Sequence, residues 1–167
     1  MKGMPTPNLD ERFQRWLKLI AEMHDGANFT ANQSMSWTPL RKPLSECKVA
    51  LITTAGVHLK SQPTHDLLNP QGDASFRVIP GDAHMSDVAV DHVHYDTTDA
   101  NQDPNCVFPL DRLRELVNIG LIGAIAPLHY GFMGFIPDGR LLRDTTAPIV
   151  AEQLLAQQTD VVVLTPG

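Results

Sequence analysis

Cysteine is scarce in this chain. Only Cys47 and Cys106 occur among 167 residues, with no Cys-x-x-Cys and no Cys/His spacing of the zinc-finger kind. A disulfide framework and a structural zinc site are therefore excluded. Both thiols read as buried and inert, Cys47 at the head of an apolar run and Cys106 beside Val107 and Phe108. Long apolar runs are absent as well. Nothing approaches the roughly 20 residues needed to cross a membrane, and the opening M-K-G-M-P-T-P-N lacks the apolar centre of a secretory signal. The expected location is cytoplasmic, with no membrane partner. Positive charge is short: 13 Lys and Arg against 19 Asp and Glu give a net charge of −6. A nucleic-acid partner, which needs a basic face, is disfavoured. The phosphate-cradling patterns G-x-x-x-x-G-K-[ST] and G-x-G-x-x-G are missing, as is the G-x-S-x-G nucleophile elbow, so nucleotide-dependent chemistry and serine hydrolysis are disfavoured too.

What remains is the composition of an ordinary globular protein, 43% apolar and 19% charged, long enough for one domain with a real core. Leu9, Phe13, Trp16, Leu17, Ile20 and Met23 recur at helical spacing over 8–24. A polar, proline-bearing stretch to residue 46 reads as an extended crossing. Residues 1–44 are thus expected to form an N-terminal helix and arm, and 45–167 an α/β domain. In that domain C-K-V-A-L-I-T-T at 47–54 is a nearly continuous β-rich run suited to a strand buried on both faces. Ser75–Pro80 predicts a second strand, and Phe108–Gly120 a helix with Pro109 in its first turn. Ile122–Pro127 predicts a third strand ending before Leu128. Thr145–Gln158 predicts a second helix, and Asp160–Leu164 a buried last strand. Alternating strands and helices define an α/β fold with a mostly parallel open sheet flanked by helices. Thr165-Pro166-Gly167 leaves that last strand where an active-site loop normally begins, so the domain reads as C-terminally incomplete.

The densest chemistry lies between Asp82 and Asn105, which hold three of the seven histidines and six of the nineteen acidic residues. His92 and His94 would share one face of a strand, with Asp96 on the same face. That pattern suits proton transfer or substrate binding. It also suits a metal, with a further ligand from His84, Asp99 or His129, or a hydrogen-bonded structural role. Asp96 to Asn101 reads equally as a run of side-chain-capped turns or as a holder of polar substrate. Asp103-Pro104-Asn105 reads as a turn before the helix. His129, placed after a strand and followed by Gly131 and Gly134, is a second acid–base candidate, and His58 after Thr54 and Gly56 a third; a structural role stands beside each.

Several segments in order carry a resemblance: V-A-L-I-T-T-A-G-V-H at 49–58, F-R-V-I-P-G-D at 76–82, D-H-V-H-Y-D at 91–96, N-x-x-F-P-x-D-R-L-R-E-L at 105–116 and G-x-I-G at 120–123. Over about residues 45–167 the chain resembles the selenoprotein B family of glycine, sarcosine and betaine reductases, on its D-proline reductase side. The resemblance implies reductive cleavage of a C–N bond of a small amino acid or amine. It implies a selenol or thiol reset by a dithiol, a pyruvoyl group on a partner subunit, and a homo- or hetero-oligomeric complex. Its motifs match at Thr54, Gly56, His58, Gly81, Asp82 and Tyr95, which are the candidate substrate-binding residues together with Asp99 and Asn105 of the polar segment. His92, His94, Asp96 and His129 are the candidates for catalysis, with Asp96 orienting a histidine. No metal ligand and no cofactor within this chain are assigned. The family's redox residue follows the last strand, so a selenocysteine beyond Gly167 is expected, with its codon read as a stop; a short paralogue without the redox residue is the other expectation. The rival readings are a metal-dependent enzyme using His92 and His94, and a non-catalytic assembly subunit.

Overall fold

The computed structural model describes residues 38–167, together with Gln14, Arg15, Lys18 and Glu22 of a helix near the N-terminus. Most of the expected helix at 8–24 and the arm up to residue 37 lie outside the described residues. The chain divides into two compact units, Met1–Trp37 and Thr38–Gly167. In the first, Lys18 and Glu22 face each other at 3.9 Å, one helical turn apart on an exposed face. The second carries the sheet and every candidate site residue. No helix among the described residues is long and apolar enough to cross a membrane.

The sheet is built around β1 (Lys48–Thr53). Its apolar run is flanked by strands along both edges and buried on both faces by the side-chain clusters packed there, Val49 and Leu51 in one and Ile52 in the other. β5 (Ala124–Ile125) and β6 (Leu128–Phe132) pair in parallel along one side, and β7 (Val161–Thr165) pairs in parallel along the other. β3 (Phe76–Pro80) lies outside β6 and is antiparallel to it. A separate antiparallel pair joins β2 (Val57–Leu59) to β4 (Val88–Val90). Helices cover both faces. α2 (Leu110–Asn118) buries Leu110 and Leu113 with Val49, Leu51, Ile79 and Phe108. α3 (Ala147–Ala156), entered through a π-helical turn at Leu142–Thr146, buries Val150 against Tyr130 and Phe132 on the other face. The short α1 spans Thr98–Gln102. The α/β reading with a mostly parallel sheet holds.

Three local expectations change. The strand expected to end at Pro127 continues to Phe132, broken only at Ala126-Pro127. Proline has no N–H to give the ladder. The ring of His129 fills the gap: its Nδ1 accepts the Leu51 amide proton at 2.8 Å. The expected buried strand at the C-terminal end is instead β7, which pairs only with β1 among the described strands; its alternate residues Val162 and Leu164 are exposed. Cys47 is buried as expected, but Cys106 is exposed. It ends a 3-10 turn, Pro104–Cys106, that directs Phe108 inward and leaves the thiol outward.

Candidate functional site

The carboxyl ends of β1, β6 and β7 meet at one edge of the sheet. The Thr54 amide donates to the Thr165 carbonyl at 3.0 Å, and the Gly56 amide to the Phe132 carbonyl at 2.9 Å. Gly134 lies just past β6 with no room for a side chain. A Cβ there would stand 2.9 Å from the Thr54 oxygen, 3.1 Å from Nε2 of His92 and 3.4 Å from the Gly167 oxygen. Thr54, His92, Gly134 and Gly167 thus converge where open α/β sheets hold their ligands.

The His-x-His segment is not a strand. β4 ends at Val90, and residues 91–97 turn across the sheet edge. Gly56 makes this crossing possible. Its φ is +77°, and a Cβ would lie 2.1 Å from the Asp91 carbonyl oxygen, so only glycine lets the two backbones meet. The Asp91 amide donates back to the Gly56 carbonyl at 3.2 Å. Further on, the Tyr95 hydroxyl donates to the Ala55 carbonyl at 2.8 Å. Burial, and then the neighbourhood of the Cys106 thiol, push that phenol above its ordinary range, so it stays a neutral donor.

Four rings line up over this edge. Tyr95 lies 4.7 Å from His92, His92 5.7 Å from His94, and His94 4.3 Å from Phe135. The His94 amide donates to Nδ1 of His92 at 3.0 Å. Nδ1 is therefore the acceptor, and the ring proton sits on Nε2. Nε2 is buried and has no hydrogen-bond partner. Burial, followed by the adjacent His94, lowers the His92 pKa and keeps the ring neutral at pH 7. The result is an N–H donor aimed, without an acceptor, at the junction of three strands. His94 is the exposed member of the pair.

Other sequence candidates lie elsewhere. His58 is buried on β2, with Nε2 2.9 Å from the Asp91 carboxylate and Nδ1 2.8 Å from the Leu59 carbonyl. Both ring nitrogens thus face oxygen acceptors, which fixes the orientation of the ring. Asp96 accepts from the Thr98 amide and hydroxyl at 2.9 and 2.6 Å, forming a turn that opens α1. It is engaged there rather than with a histidine. Asp99 is exposed on the first turn of α1. Asn105 is committed to the start of α2, where its side-chain oxygen accepts the Asp111 amide at 3.0 Å and its amide donates to Asp103 and Asp111. Gly81 and Asp82 are carried away from the ring cluster by the antiparallel course of β3, which pairs Pro80 with Leu128 at the opposite end of β6. His129 is completely buried in β6; burial, then the charge of Arg114, lower its pKa to about 4, with the Ala126 carbonyl pulling the other way. Among the described residues no group of three His, Cys, Asp or Glu side chains is placed to hold a metal ion.

Three residues of the site escaped the sequence reading. Asp91 opens the D-H-V-H-Y-D segment, but its partner His58 is 33 positions away. Gly134 stood out only as a glycine near His129 that permits close backbone approach or mobility, and Phe135 drew no notice because an apolar residue after glycine reads as core.

A mostly parallel sheet covered by helices on both faces, with His92 and His94 at its carboxyl edge, defines an α/β domain. A sequence profile of the glycine/sarcosine/betaine reductase selenoprotein B family matches residues 14–167. The chain belongs to that family. It is 47% identical over 131 residues to the D-proline reductase subunit gamma of Acetoanaerobium sticklandii, covering 78% of this chain and 53% of that protein. It is 34% identical to the sarcosine reductase complex component B subunit beta of Peptoclostridium acidaminophilum, covering 75% of this chain and 31% of the relative. The glycine reductase complex component B subunit gamma of Symbiobacterium thermophilum is 31% identical, over 76% of this chain and 30% of its own length. The chain thus spans about half the length of the first relative and about a third of the other two. No solved structure matches it significantly.

Proposed function

We propose that this chain is a subunit of a reductase complex and that the complex cleaves a C–N bond of a small amino acid or amine; a relative named as a D-proline reductase subunit supports the reductase part. The observation that carries the reading is the unpartnered Nε2–H of His92 at the carboxyl edge of β1, β6 and β7. It rests also on family membership and on the 47% identity to a D-proline reductase subunit.

Reductive C–N cleavage consumes two electrons and two protons, and a dithiol is the proposed source of the electrons. A selenol, when present, supplies a soft nucleophile already ionised at neutral pH. A pyruvoyl group belongs on a partner subunit. The edge suits an anionic selenium or sulfur presented at the end of β7, whether by polypeptide continuing from Gly167 or by a partner. His92 donates toward it from Nε2. The two carboxylates of the 91–97 segment are occupied, Asp91 with His58 and Asp96 with Thr98, so neither stands as a bare repelling charge. Gly134, lacking a side chain, lets the Thr54 and Gly167 carbonyls and the His92 ring draw together at this edge. His94, the exposed ring, exchanges protons with water and delivers one to the departing nitrogen. Positioning at such a site contributes as much as proton transfer.

The test is to isolate the chain with its partners from its native host grown with selenium, then assay dithiol-dependent ring opening of D-proline beside reduction of glycine, sarcosine and betaine. The expected outcome is turnover of one of these, reduced about 100-fold or more by His94→Ala, and an intact mass carrying a selenium isotope pattern. A stable complex that reduces none of the four would overturn the reading in favour of an assembly subunit.

A further inference from the structure

The loop from residue 60 to 75, between β2 and β3, holds more fixed polar contacts than a simple connection needs. Arg77 on β3 donates to the carbonyls of Pro63 and Thr64, each at 2.7 Å. The Asp73 carboxylate accepts from the Asp66 amide at 2.9 Å, and from the Ser75 amide and hydroxyl at 2.8 and 2.5 Å. Gln62 ties the loop's start to the Val78 carbonyl at 2.8 Å. His65 is 1% exposed beneath it, 3.6 Å from Asp73. The loop is a clamped body.

Its tip touches the site at one point. Gly72 has a φ of +75°, and a Cβ there would lie 2.1 Å from the Phe135 carbonyl oxygen and 2.9 Å from the Ile136 Cα. Backbone meets backbone with no side chain between, so the loop fixes where residue 135 can be. The Phe135 ring in turn stacks on His94 at 4.3 Å and a 39° interplanar angle, and the His94 amide sets the tautomer of His92.

We propose that Gly72 is a remote positioning residue for the His92–His94 pair, acting through Phe135, and that the clamped 60–75 loop is the buttress that holds His94 in register. The contact lies 63 residues from Phe135 in sequence and includes no group that meets substrate. Displacing the Phe135 backbone rotates or withdraws its ring, removes that contact from the His94 ring and loosens the amide that holds Nδ1 of His92. This rests on reading the two histidines as the site's proton-handling groups, but the geometry can be examined without turnover.

The experiment records ring Cε1–H spectra of the full chain over pH, assigned with His92→Gln and His94→Gln. Wild type is compared with Gly72→Ala and with Gly139→Ala, whose added Cβ meets nothing within 4 Å. Gly72→Ala is expected to move the His94 ring resonance, as the Phe135 ring current is lost, and to shift the His92 midpoint by about half a pH unit or more. Gly139→Ala is expected to change neither. A folded Gly72→Ala protein whose His92 and His94 signals superimpose on wild type would overturn the proposal. If that variant does not fold, Arg77→Lys takes its place under the same criterion, because it releases the Pro63 and Thr64 carbonyls without adding bulk. Failure of the reductase reading would show separately, as a complex that reduces none of the four substrates.

Discussion

The His94 backbone amide is hydrogen-bonded to Nδ1 of the His92 ring at 3.0 Å, so a residue two positions on decides which nitrogen of His92 carries the proton. The expected outcome is an Nε2–H tautomer in long-range nitrogen spectra of the imidazole rings. The ring should titrate below the ordinary histidine value, because burial and the adjacent His94 both disfavour its charge. An Nδ1–H tautomer at pH 7 would remove the donor on which the site's chemistry depends.

Gly56 and Asp91 make a second local test. Gly56→Ala would place a Cβ 2.1 Å from the Asp91 carbonyl at a φ of +77°. We expect a loss on the order of 2 kcal/mol or more, read by urea denaturation, whereas Gly139→Ala should stay within about 0.5 kcal/mol.

Asp91→Asn keeps the shape but takes the charge from the partner of buried His58, whose Nε2 lies 2.9 Å from that carboxylate. The Asp91 side chain is 39% exposed, so water softens the effect. A loss of about 1 kcal/mol is expected, together with an altered His58 ring signal.

Acid should destabilise the fold through two other histidines. His65 and His129 both have pKa values lowered from 6.5 to about 4, burial being the leading cause in each. The unfolded chain therefore takes up protons at these positions before the folded chain does. Stability from this source is constant above about pH 6.5, falls as the pH drops toward 4, and is fully lost below that. Each ring accounts for on the order of 3 kcal/mol across the window. Asp73, which burial would raise but which hydrogen bonds from Ser75 and the Asp66 amide hold at about 2, adds a further loss below the ordinary carboxylate range. Denaturation midpoints at pH 7, 5.5 and 4.5 check the slope, and His129→Leu should flatten it. The same substitution leaves the Leu51 amide without its acceptor and costs about 1–3 kcal/mol at pH 7.

Local chemistry was legible wherever a short stretch of sequence decides the structure by itself. The apolar, β-rich run at 47–54 suited a strand covered on both faces, and it forms one. Leu110, Leu113, Leu116 and Val117 could only line one side of a helix, and Asp96 with Thr98 makes its turn from adjacent side chains. The ordered motifs at 49–58, 76–82, 91–96 and 105–116 were enough to reach the family. Tertiary structure alone decided the rest, because each remaining feature joins residues that no period or motif connects. Pairing β3 antiparallel to β6 sent Gly81 and Asp82 away from the histidines. A proline break at residue 127 turned His129 from a candidate acid into the acceptor for a β1 amide. The meeting of His92 with Gly134, and of Phe135 with both His94 and Gly72, depends on where three strand ends and two loops come to rest. Hydrophobic periodicity chooses elements and faces; contacts between distant backbones are chosen by packing, and packing is a property of the assembled fold.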